Sequence, residues 1–240
     1  MAAEVYYETC WAILSTIGIF CAFTTVWMMA VFGWNKMLAV PLVVSCACAV
    51  ANGLCYYAYY APYPEDGRRV AAAAADAAWL VQEAGLSFYS YQILSSILLG
   101  RKRQVYQAVF FSFCALAVMA RTGILAFRQQ TLAGRDVQHI VNYLHMAYFL
   151  SIAWMECANA WFLIHKLSLE SRVIKSSAVR RSLLASSEIR MASLCVVGIM
   201  RAATYYFQSD AQAATNVASE LDRFVLTMES LFPALMLVSV

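Results

Sequence analysis

Charged residues are scarce in this chain of 240 residues: Asp, Glu, Lys and Arg make up 13% of it, whereas 62% of it is hydrophobic. A soluble domain carries about 25% charged and about 45–50% apolar residues. The mean hydropathy is +0.63. This composition excludes an ordinary soluble domain and predicts a polytopic membrane protein. The net charge is only +3, and without a basic tail it gives no sign of nucleic-acid binding.

Metal-binding and disulfide patterns are also missing. The chain has eight cysteines, most of them in apolar stretches, and Cys46 and Cys48 form no CxxC motif. His145 falls almost on the same helical face as Glu156, but no HxxxH or ExxH motif accompanies the two residues. We therefore expect buried thiols, no disulfide framework, and neither a metal nor another cofactor.

Long apolar stretches are what the sequence does contain. About 20 residues of helix cross the hydrocarbon core of a bilayer, and seven stretches approach or exceed that length. We predict an all-α integral membrane bundle that forms a single domain over residues 1–240, and we expect the first stretch to act as an uncleaved signal anchor. Six helices are the alternative, because charges dilute the sixth stretch. The stretches cover about residues 10–32, 37–60, 70–99, 105–127, 140–164, 187–207 and 216–240.

The basic residues alternate between the predicted loops. The first, third and fifth loops hold nine of them, including residues 101–103, whereas the opposite loops combine four arginines, among them Arg128, with six acidic residues. Lys and Arg are enriched in cytoplasmic loops. The pattern predicts an N-terminus outside or in the lumen and a cytoplasmic C-terminus, with Tyr205 and Tyr206 in an outer aromatic belt. Of the two membranes that share this asymmetry, we favour the endoplasmic reticulum over the plasma membrane.

Carboxylates occur inside the predicted helices. Asp222 and Glu229 are seven residues apart and share a helical face, and Asp76 and Glu83 repeat this spacing. A carboxylate in hydrocarbon is costly unless it is protonated, paired or hydrated. We therefore expect these faces to point into the protein. Glu156 is predicted past the middle of the fifth helix.

Two arginines, Arg121 and Arg201, also fall inside predicted helices. Because a guanidinium does not lose its proton, each must find a partner. The carboxyl groups outnumber these arginines, so at least one buried carboxyl group should lack a cation, be protonated near neutral pH and be able to act as a general acid. Alternatively, the ion pairs only fix the helix register, and Asp76, Glu220 and Asp222 reach the membrane interface.

The positions of the lysines exclude one group of seven-helix proteins. Retinal-binding opsins need a lysine in the seventh helix, but Lys36, Lys102, Lys166 and Lys175 all lie in predicted loops. A receptor-like protein stays open as an alternative, although the sequence at residues 100–103 is not a DRY motif and the seventh stretch has no NPxxY motif. A proton-coupled transporter is disfavoured, because the sequence has no inverted repeat.

In length, helix number and carboxylates on membrane helices, the chain resembles the small fungal membrane-bound terpene cyclases of meroterpenoid pathways. In that family an acidic residue protonates an epoxide or olefin of a prenylated substrate, and the resulting cation cyclises. The family usually carries a carboxylate in its second helix, where this chain has none. The resemblance therefore implies that Glu83 or Glu229 takes over that role.

We hypothesise an integral-membrane, terpene cyclase-like enzyme of secondary metabolism that takes a lipophilic isoprenoid, epoxidised or not, from the bilayer. One deep acid would donate the proton, a second would stabilise the cation or take the final proton, and two arginines would position the carboxylates. The alternative is a seven-helix receptor-like or ligand-binding protein without enzymatic activity. The candidate donors are Glu83, Glu156 and Glu229, the second acid is Asp222 or Asp76, and the positioning residues are Arg121 and Arg201.

Overall fold

The computed structural model describes residues 2–59, 64–132, 134–170, 178–208 and 216–238, which are almost entirely helical and contain no strand. This confirms the all-α prediction. The described residues form eight helices: α1 (Ala2–Phe32), α2 (Lys36–Tyr59), α3 (Glu65–Ile97), α4 (Gly100–Leu132), α5 (Gln138–Glu170), α6 (Ala178–Phe207), α7 (Val217–Ser230) and α8 (Phe232–Val238).

Four helices contain segments that are long and apolar enough to cross a membrane: Cys10–Phe32 in α1, Lys36–Tyr59 in α2, Gly100–Thr131 in α4 and Gln138–Lys166 in α5. Their outer faces carry large exposed apolar side chains, such as Trp27 on α1. Apolar surface of this extent is typical of contact with lipid or a partner and not with water. Together these features indicate a membrane protein.

The predicted seventh helix is broken into α7 and α8 at Leu231. Pro233 explains the break, because proline has no N–H to donate and its ring clashes with the carbonyl group four residues earlier, here that of Glu229. The chain turns instead at Leu231, whose N–H donates to the carbonyl oxygen of Met228 at 3.1 Å. The break therefore lies directly after one of the candidate donors.

Neighbouring helices along the chain pack against each other in two groups, α1–α2–α3 and α4–α5–α6. Contacts of α3 with α4 and α5 join the groups. Helix α7 packs against α6 and α1, and α8 packs mainly against α2. This arrangement brings α3, α4, α6 and α7 together in the interior, where their polar side chains meet.

The backbones of α1 and α2 approach closely at Gly18. A Cβ atom at this position would lie 2.6 Å from the backbone nitrogen of Ala49 and 2.9 Å from the carbonyl oxygen of Ser45. The Ser15 hydroxyl donates to the carbonyl oxygen of Ala49 at 2.9 Å across the same contact. Small residues of this kind allow close packing of membrane helices.

We expect Gly18→Ala to destabilise the protein, because the added methyl group meets backbone atoms that cannot rotate away. Overpacking of this type costs about 1–3 kcal/mol. Gly53→Ala on α2 is the matched control, since a Cβ atom there lies 3.4 Å from the Ser15 hydroxyl and the substitution makes the same gain in helix propensity. Thermal unfolding in detergent should give Gly18→Ala the lower melting temperature. Equal melting temperatures would contradict the close helix contact.

Candidate functional site

A network of buried ion pairs fills the interior between α3, α4, α6 and α7. We call its seven members the ion network, and each is no more than 5% exposed. The carboxylates come from α3 and α7 and the arginines from α4 and α6. The members are Asp76, Glu83, Arg121, Arg128, Arg201, Asp222 and Glu229.

Arg201 contacts three carboxylates at once. Its Nη1 atom donates to Glu83 Oε1 and, at 2.8 Å, to Glu229 Oε2, while its Nε atom donates to Asp222 Oδ1 at 3.2 Å. The guanidinium carbon also lies 4.1 Å from the centre of the Phe149 ring. Asp222 and Glu229 reach the same guanidinium because their seven-residue spacing places both on one face of α7, as the sequence predicted.

The second half of the ion network is centred on Asp76. Its Oδ1 atom lies 3.2 Å from Arg121 Nη2 and 2.5 Å from Arg128 Nη1, and its backbone carbonyl accepts from Arg121 Nε at 3.1 Å. Arg121 Nη1 also lies 3.6 Å from Glu83 Oε2. Glu83 therefore connects the two halves, so that α3 contributes a carboxylate to each.

The ion network overturns two expectations about single residues. Arg128 was predicted in an outer loop, but α4 continues past it and the side chain is 2% exposed. Asp76 and Asp222 do not reach the membrane interface as the alternative proposed, since they are 0% and 1% exposed. By contrast, Glu220 on the same helix as Asp222 is exposed. A signal for Arg128 was present, because it follows Arg121 by seven residues, the spacing that also groups the carboxylates.

His145 belongs to the surroundings of Arg128 and not to those of Glu156. Its Nδ1 atom lies 2.8 Å from the carbonyl oxygen of Val141, to which only a protonated nitrogen can donate. Nε2, 3.1 Å from Arg128 Nη2, is then the acceptor of a neutral ring. The ring stacks on Tyr205 with 4.1 Å between centroids. Tyr205 is therefore buried against the site, and its predicted place in the outer aromatic belt is wrong.

Glu156 lies apart from the ion network, on α5. It is 0% exposed and makes no ion pair with any side chain in the described ranges. Its Oε2 atom accepts from Asn159 Nδ2 at 3.3 Å. Its Oε1 atom accepts no well-formed hydrogen bond from the described residues, and the Ser87 hydroxyl lies beside the carboxyl group. Glu156 is thus the candidate donor that is buried without an ion pair to a described arginine, and the charge of Arg190 acts on it only from a longer distance.

Aromatic rings surround the polar group that Glu156 contacts. Tyr106 Oη donates to Asn159 Oδ1 at 2.9 Å. The Tyr106 ring lies 5.2 Å from that of Phe162 and 6.0 Å from that of Tyr91. Aromatic faces stabilise cations placed over them. A hydrogen-bonded chain therefore connects the carboxyl group with an aromatic cluster between α3, α4 and α5.

Two further arginines are buried outside the ion network. The guanidinium carbon of Arg223 lies 3.8 Å from the centre of the Trp11 ring, and that of Arg190 lies 4.3 Å from the centre of the Tyr89 ring. Both side chains are 5% exposed. Arg190 on α6 therefore packs on Tyr89 of α3.

A small cavity of about 10 Å³ separates the ion network from the apolar contact of α5 with α6. A cavity of this size holds about one water molecule. Its polar wall includes Glu83, Ser87 and Glu229, and its apolar wall includes Ile152 and Val197. The cavity is lined by two of the three candidate donors, Glu83 and Glu229, and by Ser87, which lies beside the third, Glu156. An isoprenoid fits at this place only when the apolar wall moves outward.

Within the described ranges, no group of three His, Cys, Asp or Glu side chains is arranged to hold a metal ion. The carboxylates of the ion network instead face guanidinium groups. Comparison of the chain with protein-family models, with curated proteins and with solved structures finds no match. The chemistry of the site therefore follows from its own residues and distances.

We expect Arg201→Met to destabilise the protein strongly, because it leaves three buried carboxylates without their shared cation. Breaking a buried pair in this way costs about 3–5 kcal/mol. Arg69→Met is the control, since Arg69 pairs with Glu65 at 2.7 Å on an exposed surface of α3, where such pairs contribute about 0.3–0.5 kcal/mol. Thermal unfolding in detergent should separate the two variants, with Arg201→Lys between them. Similar melting temperatures for both Met variants would contradict the ion network.

Proposed function

We propose that this chain is an integral-membrane enzyme that protonates a lipophilic isoprenoid, whose cation then cyclises, in the manner of a terpene cyclase. The observation that carries the proposal is the state of Glu156, a fully buried carboxyl group without an ion pair among the described residues. Such a group is stable in an apolar interior as a neutral carboxylic acid. A neutral acid in an apolar site is a usable general acid.

The surroundings of Glu156 suit the neutral form. Asn159 donates to Oε2, and Oε1, which accepts no well-formed hydrogen bond from a described residue, is the oxygen that would carry the proton. The four carboxylates of the ion network differ, because each faces at least one guanidinium that favours its charged form. We therefore assign the donor role to Glu156 and a positioning role to Asp76 and Asp222.

In the proposed reaction Glu156 transfers its proton to a double bond or epoxide oxygen of the substrate. A C–H or O–H bond forms, the cation closes a ring on a second double bond, and a proton is lost to a carboxylate, so that the reaction is an isomerisation without net proton uptake. Glu83 and Glu229, which border the small cavity, would stabilise positive charge that develops there. Arg121 and Arg201 hold these carboxylates in place.

A receptor-like or ligand-binding protein without catalysis is the second candidate. The small size of the cavity and the complete pairing of Arg201 favour it, because both fit an interior built to fix helix positions. In that case Glu156 would behave as another structural polar residue. The two candidates differ in the effect of an isosteric substitution at this position.

Glu156→Gln is expected to abolish cyclisation while the fold is retained, because the amide has the shape of the neutral acid but cannot supply its proton. Removing a general acid costs about 10²–10⁴-fold in rate. Microsomes containing the wild type or the variant at matched expression are supplied with epoxidised and non-epoxidised prenylated aromatics, and cyclic products are measured. Glu220→Gln on the exposed face of α7 is the control and should keep full activity.

Glu83→Gln and Glu229→Gln complete the series. Each removes a carboxylate from Arg201 and should lower the melting temperature, whereas Glu156→Gln should not. A cyclic product that survives in Glu156→Gln and disappears in Glu229→Gln would move the donor role to Glu229. The absence of a product from the wild type with every isoprenoid would support the non-enzymatic candidate.

We further propose that the chain crosses the membrane of the endoplasmic reticulum seven times, with its N-terminus in the lumen and its C-terminus in the cytoplasm. Helices α3 and α6 have 33 and 30 residues, more than the roughly 20 that a bilayer requires. Their interior charged residues, such as Glu83 and Arg201, are buried, so their lipid-facing sides can be apolar. Helices α7 and α8 together would form the last span.

The topology is tested with short tags that carry an N-glycosylation acceptor. A tag fused to the N-terminus should be glycosylated in microsomes, and the same tag fused to the C-terminus should not, because an odd number of spans places the ends on opposite sides. A shift in mobility that endoglycosidase reverses is the readout. Glycosylation of both ends, or of neither, would favour six spans.

A further inference from the structure

A second feature lies far along α5 from the small cavity, where α3 ends, α4 begins and α5 ends. It is an open groove of about 460 Å³, and its floor is formed by Leu98, Val105 and Phe162. Trp161 forms one side and stacks on His165 with 5.4 Å between ring centroids. This volume is within the range of ligand sites, which is about 300–1,000 Å³.

The rim of the groove is basic. Arg101 and Lys102 lie in the first turn of α4, and Lys166 lies near the end of α5. None of the described residues that line the groove is acidic. Arg101 and Lys102 are exposed and make no ion pair with a described residue. The first turn of α4 also has backbone N–H groups without acceptors inside the helix, as every helix start does, and such groups favour an anion.

The position of the groove along α4 and α5 indicates its depth relative to a membrane. The apolar segments of α4 and α5 run over Gly100–Thr131 and Gln138–Lys166, so the basic rim lies at the ends of both. The ends of spanning segments lie at the membrane interface, where lipid headgroups are found. Trp161 is 60% exposed at the same level, and tryptophan is enriched at this depth.

We propose that this groove binds an anionic phospholipid, with its phosphate and acidic headgroup on Arg101 and Lys102 and one acyl chain over Leu98, Val105 and Phe162. The charge of the rim and the apolar floor match the two ends of such a molecule. Its basic character also matches the cytoplasmic leaflet, where anionic lipids are concentrated. This site is independent of Glu156 and of the proposed reaction.

The segment of this chain that follows α5 is a poor match as the occupant of the groove. The residues that follow α5 include Arg172 and Lys175, which carry the same sign of charge as the rim. A soluble acidic peptide would match the rim but not an apolar floor at bilayer depth. A phospholipid satisfies both parts of the groove without bringing a polar backbone against lipid.

The experiment titrates the purified full-length protein in detergent with dioleoyl phosphatidylserine and measures bound lipid by native mass spectrometry. Arg101→Gln and Lys102→Gln should each weaken binding about fivefold, the effect of one basic residue near an anionic surface. Arg103→Gln is the matched control, because it removes the same charge from the same helix turn at a residue that does not line the groove. Val105→Trp should weaken binding without a change of charge, since it fills the floor.

The outcome is decided by comparison of these variants. Weaker binding in Arg101→Gln, Lys102→Gln and Val105→Trp, with Arg103→Gln unchanged, supports the site. An equal loss in all three charge variants would overturn it in favour of general surface attraction. Equal binding of dioleoyl phosphatidylcholine would also overturn it, as would equal binding of glycerophosphoserine, which has no acyl chains. Displacement of the lipid by a lower concentration of farnesyl diphosphate would assign the groove to an isoprenoid instead.

Discussion

The removal of Arg201 from water is the constraint on which the interior of this protein depends. A buried guanidinium costs several kcal/mol unless ion pairs and hydrogen bonds of good geometry replace its hydration. Arg201 on α6 meets this requirement only where Glu83 from α3 and Asp222 and Glu229 from α7 converge on it. The same requirement at Arg121 and Arg128 fixes α4 against Asp76 of α3. Helix α3 is thus the element that contributes a carboxylate to both halves of the ion network.

This arrangement separates two kinds of buried acid. The four carboxylates of the ion network face arginines and hold helices together, so their charge is part of the fold. Glu156 has amide and hydroxyl neighbours instead, and it makes no ion pair with a described residue. A group whose protonation can change without the loss of an ion pair is the one that suits proton transfer. The proposed chemistry therefore rests on the acid that the ion network leaves out.

Charged residues in the interior and at the rim of the groove have different surroundings. Apolar side chains cover the outer faces of α1, α2, α4 and α5. The basic residues at the start of α4 and the end of α5 stand at the limit of this apolar surface, beside an open groove. Charge in the interior is neutralised by the protein, whereas Arg101 and Lys102 at this rim have no ion pair among the described residues, which is the basis of the proposed lipid site.

The sequence by itself determined the helical class, the membrane character and the inward direction of the paired faces, because hydropathy and a seven-residue spacing are local properties. Asp76 with Glu83 and Asp222 with Glu229 were found in this way, and Pro233 contained the signal for the break after α7. Only the tertiary structure decided which charges meet. Arg128, His145 and Tyr205 join the site because α4, α5 and α6 place them side by side. Glu156 makes no ion pair with a described residue, because Arg190 of α6 packs on Tyr89 and acts on the carboxyl group only from a longer distance. Which charged residues of two helices meet depends on how the helices pack, and these residues are far apart in the sequence. The spacing of residues along one helix gives no information about such contacts.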